Sequence, residues 1–236
     1  MSAVGESVFA RLKAESAAEW SAYVEHDFVR RLAEGSLPEA CFRHYLIQDY
    51  LFLVHFARAY ALAVYKADNL EDMRRAASTL DALLNTEMGL HVRSCAAWGL
   101  SEAEMAAVPE ADANLAYTRY VLDTGMAGDV LDLLVALAPC VLGYGEIGAR
   151  LLNDPATRLD GNPYREWIET YGGTEYQEAA AAAGAQLERV ARDRLGADPA
   201  RTPRWVSLSR SFRTATRLEV GFWAMGLTPP SGADRK

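Results

Sequence analysis

The stretch LVALAPCVLGYGEIGARL, residues 134–151, is a long apolar run interrupted by a proline, a thiol, a phenol and a carboxylate. Pro139 removes a backbone hydrogen bond and bends a helix, and Cys140 follows it directly. Tyr144 lies one turn after Cys140 on the same helix face, and Glu146 follows two residues later. We predict a buried, kinked helix here, whose polar side chains require an explanation beyond packing.

Helical signals continue along nearly the whole chain. Capping patterns that start helices are Ser36 with Pro38 and Glu39, Ser101 with Glu104, and Thr174 with Gln177. Apolar spacing and breaks predict helices over about 6–33, 38–66, 70–98, a short one from 101, 110–125, 128–152, 162–171, 174–195 and 202–227. No stretch alternates long enough to predict a strand. We therefore expect a single all-α domain over residues 1–228 and a mobile tail over 229–236.

The composition narrows the class of protein. With 24 Lys and Arg against 32 Asp and Glu, the net charge of −8 argues against a nucleic-acid partner. Three cysteines (41, 95 and 140) lack disulfide or metal spacing, which predicts reduced thiols in a cytoplasmic protein. The N-terminus has no apolar core typical of a signal peptide. No uncharged apolar run reaches the roughly 18 residues of a membrane span.

Two carboxylates fall on apolar helix faces. Residues three, four and seven positions from Asp49 are Phe42, Tyr45, Leu46, Phe52, Leu53 and Phe56, and those around Glu219 are Phe212, Ala215, Phe222 and Trp223. Stranding a carboxylate in such surroundings costs several kcal/mol, so each acid is either paired or buried for a purpose. Neither has a cation one turn away on its own face, which favours a functional site.

Glu87 and Cys140 can each be explained by a structural role as well as by a functional one. Glu87 lies on a leucine-rich face with His91 one turn later, which indicates a structural Glu–His pair. Most cysteines in apolar helices are inert core residues. A nucleophilic thiol needs a neighbouring basic or hydrogen-bonding group. Tyr144 and the opening at Pro139, with room left by glycines 143 and 145, favour that role, although no histidine is linked to Cys140 by sequence.

Metal and haem sites have little support in the sequence. Di-iron bundles use inward glutamates and two Glu-x-x-His motifs, and this chain has none. Its four histidines (26, 44, 55 and 91) are scattered along the chain. A haem needs only one histidine, so His26 or His55 leaves that alternative open. We expect no metal ligand and no cofactor.

Six motifs together resemble those of the TenA/thiaminase II family. In order they are FRHYLIQDYLFLVHFAR (42–58), EMGLH (87–91), AYTRYV (116–121), LAPCVLGYGEIG (137–148), WIETYGG (167–173) and EVGFWAMG (219–226). The resemblance runs from about residue 8 to residue 227. It implies a haem-oxygenase-like all-α fold, a homotetramer, and hydrolysis of aminopyrimidines without haem or metal. The family cleaves thiamin to hydroxymethylpyrimidine and the thiazole, or removes ammonia from 4-amino-5-aminomethyl-2-methylpyrimidine in thiamin salvage.

The resemblance also implies roles for individual residues. Cys140 matches the nucleophile that adds to C6 of the pyrimidine, and Glu219 matches the acid that protonates ring N1. Asp49 matches the carboxylate that holds N3 and the exocyclic amine. The aromatic residues that match or flank the substrate pocket are Tyr117, which packs on the ring, Tyr144 and Tyr171, which line it with hydroxyls, and Phe222 beside Glu219.

One position departs from the family pattern. Three residues after the aspartate the family often has a tyrosine that hydrogen-bonds the catalytic thiol, and here the residue is Phe52. Activation of Cys140 must then come from elsewhere. Two alternatives stay open: a non-catalytic pyrimidine- or thiamin-binding protein, and a metal-dependent oxidase on the same fold. A reported link of the family to transcription has no support in this acidic chain.

Overall fold

The computed structural model describes residues 7–230, apart from the side chains of Thr86 and Leu90. Within that range the secondary structure is helical, with no β-strand, which confirms the all-α prediction. The α-helices are α1 Val8–Glu15, α2 Ala17–Val24, α3 Asp27–Glu34, α4 Glu39–Lys66, α5 Leu70–Ala82, α6 Met88–Ala96, α7 Glu102–Ala106, α8 Asp112–Ala127, α9 Val130–Asn153, α10 Arg165–Gly172, α11 Thr174–Leu195 and α12 Trp205–Gly226. A π turn, Leu83–Glu87, joins α5 to α6, and a 3-10 turn, Pro199–Arg201, precedes α12.

The chain forms two compact units. The Cys140 unit comprises the chain up to Gly35 together with Leu134–Val220, and the Asp49 unit comprises Ser36–Leu133 and the chain from Gly221 onward. The residues of α9 and α12 are divided between the two units. A single domain over residues 1–228 stays a prediction. Of the tail expected over 229–236, residues 231–236 lie outside the described part of the chain.

The Cys140 unit is organised around aromatic side chains from its N-terminal helices and α12. Trp20 stacks on Phe212 with ring centroids 5.7 Å apart, and Phe9 meets both rings edge-on. Trp20 and Phe212 are almost completely buried. Burying large rings of this kind removes much apolar surface from water and anchors the helices that carry them.

The Asp49 unit is organised around α4, a 28-residue helix that packs against α5, α6 and α8. Its buried face includes the apolar residues expected from helical spacing around Asp49. Gln48 joins α4 to α8, because its side-chain oxygen accepts from the backbone N–H of Ala111 at 2.9 Å and from Asn114 Nδ2 at 3.1 Å. These hydrogen bonds to the Gln48 side chain tie the start of α8 to α4.

The long helix predicted over residues 6–33 is wrong, since three short helices occupy that range. The first break is at Ser16, and the second follows Glu25. His26 then caps α3, because its Nδ1 accepts from the backbone N–H of Phe28 at 3.2 Å. Histidine is not among the usual capping residues, so this start carried no recognisable signal in the sequence.

Of the three predicted capping boxes, the one at Ser101 is confirmed. Its side chain accepts from the backbone N–H of Glu104, and the Glu104 carboxylate accepts from the backbone N–H of Ser101. The other two are wrong. Helix α4 has Pro38, not Ser36, at its N-cap, and α11 has Gly173 at its N-cap.

The helix predicted over residues 70–98 contains an irregularity that periodicity does not show. The π turn at Leu83–Glu87 inserts one residue and so rotates everything after it by about 100° relative to a continuous α-helix. Leu84, which spacing placed on the same buried face as Glu87, lies within this turn and is half exposed, while Leu83, placed on that face as well, is buried.

Helix α9 is long and apolar enough to cross a membrane by length and composition, when up to two charged residues are allowed. Its apolar window is 78% buried within the protein, which is also common for the core helix of a soluble protein. The prediction that the stretch at 134–151 forms a largely buried helix containing Pro139 is confirmed, and the kink at Pro139 stays a prediction.

Candidate active site

Helix α9 is held around Cys140 by side chains that bond to its backbone. Pro139 has no N–H to donate, and the helix continues through it. Bonds to backbone carbonyls in this stretch include Tyr23 Oη to Pro139 O at 3.3 Å, Tyr176 Oη to Val141 O at 3.3 Å and Gln177 Nε2 to Gly145 O at 2.8 Å. The helix turn that carries the thiol is thus tied to both α2 and α11.

The sequence predicted that the glycines near Cys140 leave open space beside it. In the structure, side chains from other helices fill that space. A Cβ atom at Gly143 would lie 2.3 Å from Cε1 of Tyr23, and one at Gly145 would lie 3.1 Å from the Cβ of Ala180. Both glycines therefore allow neighbouring elements to approach α9 closely. The two glycines therefore serve close packing of the helices and do not open space for the thiol.

Glu146, the carboxylate of the opening stretch, also has a structural role. It pairs with Lys13, and its Oε1 accepts from Trp20 Nε1 at 3.1 Å. The pair is about one-third exposed, so it ties α9 to α1 and α2 at the surface of the Cys140 unit.

Cys140 itself is half-buried and is not part of a disulfide. Tyr144, one turn later, is buried against Tyr171 with ring centroids 5.0 Å apart, and both rings contact Trp167. Gln177 donates to the backbone carbonyl of Tyr171 as well as to α9, at 2.8 Å. Tyr144 and Tyr171, predicted from separate motifs, are therefore brought together in one aromatic cluster.

Glu219 is buried, with 1% of its surface exposed. Its neighbours on α12 (Phe212, Ala215, Phe222 and Trp223) are buried as well, so the apolar face predicted around it is confirmed. A buried carboxyl group of this kind is a candidate for general acid–base chemistry.

Asp49 is 4% exposed and accepts two hydrogen bonds within the Asp49 unit. Tyr45 Oη donates to Oδ2 at 3.2 Å, and Nε2 of His91 lies 2.6 Å from the same oxygen. The charged partner that the sequence did not show is thus His91, 42 residues away.

His91 was predicted to pair with Glu87, and that prediction is corrected. Its Nδ1 lies 3.0 Å from the backbone carbonyl of Glu87, while its short bond to a carboxylate is to Asp49. Burial lowers the pKa of His91, but the Asp49 carboxylate and the charge of Glu87 outweigh it and raise the pKa to about 8. The imidazole is therefore mainly protonated at neutral pH.

Phe52 lies in an aromatic cluster of the Asp49 unit. Its ring stacks on Phe56 at 5.3 Å and contacts Tyr117 at 5.2 Å and Phe222 at 5.5 Å. Phe52, Tyr117 and Phe222 were predicted as pocket residues, and in the structure the Phe52 ring contacts the other two. Such a cluster offers flat apolar surface to an aromatic ring.

Two of the other histidines, His26 and His55, are engaged in contacts with neighbouring groups. His26 caps α3, and His55 lies between Arg58, Arg119 and Glu110, with Nε2 at 3.1 Å from Glu110 Oε1. Across residues 7–230, no group of three or more His, Cys, Asp or Glu side chains is arranged to hold a metal ion.

Sequence reasoning missed two residues at this site. Tyr45 was counted only as an apolar neighbour of Asp49, although its phenol bonds to the carboxylate. His91 was assigned to the acid four residues before it. Helical spacing identifies partners within one turn, and no local signal in the sequence could have joined α6 to α4.

Comparison with known proteins gives consistent results. The TENA/THI-4/PQQC family model matches residues 14–228. A Haemophilus influenzae protein called an uncharacterized protein is 44% identical over 88% of this chain and 93% of its own length. The aminopyrimidine aminohydrolase of Halalkalibacterium halodurans is 36% identical over 87% of this chain and 89% of its own.

Solved structures agree with these relatives. A protein described as a TenA family transcription regulator, from Silicibacter sp. TM1040, superimposes with a TM-score of 0.90 and 50% identity, over 94% of this chain and 96% of that one. A Shewanella denitrificans domain with a heme oxygenase-like fold has a TM-score of 0.69 at 13% identity, over 94% and 92% of the two chains, and supports the fold alone. The predicted fold class and family resemblance are both confirmed: the chain belongs to the TENA/THI-4/PQQC family.

Proposed function

We propose that this protein is a cofactor-free hydrolase of aminopyrimidines that acts in thiamin salvage. Its substrate is thiamin, cleaved to hydroxymethylpyrimidine and the thiazole, or 4-amino-5-aminomethyl-2-methylpyrimidine, which loses ammonia. Relatives named aminopyrimidine aminohydrolase, at 30–36% identity, support an enzyme of the thiaminase II class.

The observation that carries the proposal is the environment of Asp49. Its carboxylate is buried in the Asp49 unit, on the same helix as Phe52, whose ring contacts Tyr117 and Phe222. A carboxylate accepts hydrogen bonds from an exocyclic amine, and flat aromatic rings pack against a pyrimidine. Both kinds of group are what an aminopyrimidine requires of its binding site.

The chemistry we propose is covalent. The thiolate of Cys140 forms a bond to C6 of the pyrimidine while Glu219, in its acid form, transfers its proton to N1, so the addition itself adds no charge to the ring. The lone pair of the 4-amino group then pushes electrons through the ring and breaks the bond from the 5-methylene to the leaving group, which departs neutral: ammonia from the ammonium form of the amine, or the thiazole from the thiazolium of thiamin. Water adds to the methylene and releases one proton to solvent, after which the C6–S bond breaks to regenerate the thiolate and Glu219 takes the N1 proton back. Covalent catalysis thus divides one difficult displacement into easier steps.

The aromatic residues have supporting roles in this proposal. Tyr117 packs on the pyrimidine, and Tyr144 and Tyr171 supply hydroxyls to the pocket. Phe52 has no hydroxyl to offer the thiol, so Cys140 depends on another group for its activation. Tyr144, one turn from Cys140, is our candidate.

The proposal is tested by steady-state turnover of thiamin and of the aminomethylpyrimidine, with hydroxymethylpyrimidine measured as the common product. We expect turnover of at least one substrate, and we expect Cys140→Ser to abolish it while substrate still binds. Cys41→Ser is the matched control, because Cys41 is buried against the backbone carbonyl of Leu227 at 3.6 Å and should be dispensable for rate. If Cys140→Ser retained a tenth of the wild-type rate, covalent catalysis by this thiol would be excluded.

A second candidate function is a pyrimidine- or thiamin-binding protein without turnover. The observation that favours it is Phe52, which replaces the hydroxyl of the family pattern with a ring packed among other rings. Calorimetric binding of hydroxymethylpyrimidine without any turnover of the two substrates would select this function.

Homotetrameric assembly and a cytoplasmic location belong to the same proposal and rest on the family resemblance. Sedimentation equilibrium of the purified protein tests the assembly, and fractionation of the source cells tests the location.

A further inference from the structure

The two oxygens of the Asp49 carboxylate are not equivalent. Both hydrogen bonds, from Tyr45 and from His91, go to Oδ2. Among the described residues, no donor is bonded to Oδ1. An ionised carboxylate has about four lone-pair positions, and two of them, on one oxygen, are already used. Oδ1 is the oxygen that remains for a ligand.

His91 is held between two acceptors. Its Nε2 faces Oδ2 of Asp49 at 2.6 Å, and its Nδ1 faces the backbone carbonyl of Glu87 at 3.0 Å. A neutral imidazole carries one N–H and can donate to only one of them, whereas the imidazolium donates to both. The geometry therefore fits the charged ring, whose plane is fixed from both ends.

These two anchoring points lie on different elements of the Asp49 unit. Asp49 belongs to α4, and Glu87 is the last residue of the π turn. The extra residue of that turn rotates α6 relative to a continuous helix, and this sets the face on which His91 lies. π turns of this kind are frequent at functional sites.

We propose that His91 is a positioning residue: with Tyr45 it holds Oδ2 of Asp49 and so presents Oδ1 to the exocyclic amine of an aminopyrimidine. This inference rests on the proposed function, and it adds a residue to which no role in the site had been assigned. His91 acts through Asp49 and does not itself contact the substrate.

The proposal has a consequence for pH. The titratable groups that face the imidazole are Asp49 from α4 and Glu87 from the π turn. When the ring loses its proton, one of its two hydrogen bonds is lost and the buried carboxylate loses its counter-charge. The affinity for an aminopyrimidine should therefore fall as the pH rises through about 8, the pKa of His91.

The test is calorimetric binding of the aminomethylpyrimidine to protein that carries Cys140→Ser. This substitution removes the thiol, so that the thiol cannot contribute to the pH dependence and the substrate is not consumed. His91→Gln keeps a donor for Asp49 but removes the charge. We expect it to weaken binding by roughly 10- to 100-fold, the usual worth of a charge-assisted hydrogen bond, and to abolish the alkaline decline in affinity. Asp49→Asn, alone and combined with His91→Gln, completes a double-mutant cycle in which the losses are not additive.

The control ligand is the same pyrimidine with hydrogen in place of the exocyclic amine. His91→Gln should weaken this ligand much less than the amine-bearing one if His91 acts on the amine through Asp49. Equal losses for both ligands would show that His91 only supports packing, and would overturn the proposal.

A measurement on the unmutated histidine keeps the proposal testable if His91→Gln folds poorly. In wild-type protein labelled with ¹⁵N-histidine, NMR should show one ring with both nitrogens protonated at neutral pH. A ring with a single protonated nitrogen at position 91 would overturn it.

The two proposals fail in different ways. Wild-type protein that turns over neither substrate contradicts the proposed function. Wild-type turnover combined with unchanged affinity and an unchanged alkaline decline in His91→Gln contradicts only the positioning role.

Discussion

The helix turn that carries Cys140 and the helix turn that carries Asp49 are held by different kinds of bond. Around Cys140, neutral side chains (Tyr23, Tyr176 and Gln177) bond to backbone carbonyls of α9. At Asp49, an imidazole and a phenol bond to the carboxylate itself. The first arrangement fixes a stretch of backbone, and the second fixes one functional group.

This difference predicts different responses to pH and to substitution. Neutral bonds to backbone carbonyls do not titrate near neutral pH, so the α9 turn should depend on shape and packing. The Asp49–His91 pair gains its strength from charge in a buried setting, so it should depend on protonation. Four experiments test this comparison.

The largest effect is expected for the other buried acid. Glu219→Gln keeps the shape of the side chain but removes its titratable proton, and we expect kcat to fall by about two to four orders of magnitude, the usual contribution of general acid–base catalysis. Thermal unfolding of the variant is the control and should change little. Near-normal kcat across the pH range would show that Glu219 is only a packed residue, unlike Asp49.

Packing at α9 is tested by Gly143→Ala. The added Cβ would lie 2.3 Å from the Tyr23 ring, and forcing an extra methyl into such a place costs about 1–3 kcal/mol of unfolding free energy. Gly184→Ala is the matched control in the same unit, since its Cβ would meet only Leu142 at an ordinary 3.7 Å. There the alanine should stabilise α11 by about 0.5–1 kcal/mol. Urea unfolding measures both, and equal effects would remove the close approach of Tyr23 as the explanation.

The Asp49 unit should lose stability as the solution becomes alkaline. The pKa of His91 is raised from 6.5 to about 8, so its contribution is complete below 6.5 and is lost as the pH rises through 8, by about 2 kcal/mol in total. Burial lowers the pKa values of His26, His44 and His55, so their effects fall below this window. Denaturant unfolding across the window should show the decline in wild type and not in His91→Gln. A flat wild-type profile would contradict the charged pair.

The smallest effect is expected at the position that departs from the family pattern. Phe52→Tyr restores the hydroxyl that the family uses to bond the thiol, and a hydrogen bond to the thiolate lowers its pKa. We expect the pH midpoint of iodoacetamide alkylation of Cys140 to shift downward, with less than about a tenfold gain in rate. An unshifted midpoint with a loss of stability would mean that the hydroxyl is buried among the rings around Phe52 without a partner.

Much of the architecture could be predicted from local patterns. The helices from α8 onward begin and end within about three residues of the predicted bounds, and the capping box at Ser101 is present. The failures have local causes of their own. A histidine cap at His26 and a π turn before His91 both follow rules that apolar periodicity does not express.

The candidate site divides in the same way. Helical spacing selected Asp49 and Glu219 as candidates, because a carboxylate on an apolar face is unusual. Motif order selected Cys140, since a cysteine on such a face is common and gives no signal alone. The purpose of the glycines beside Cys140 was misjudged, because spacing shows that room exists on a helix but not which neighbouring element fills it.

By itself the sequence determined that the chain is all-α, that Asp49 and Glu219 lie on buried faces, and which family it belongs to. These properties depend on residues within a few turns of each other or on the order of motifs. Only the tertiary structure decided that His91 is the partner of Asp49, that Tyr23 fills the space at Gly143, and that Glu146 pairs with Lys13. The physical reason is distance along the chain: hydrogen bonds and side-chain contacts between residues 42 to 133 positions apart leave no periodic trace in the sequence.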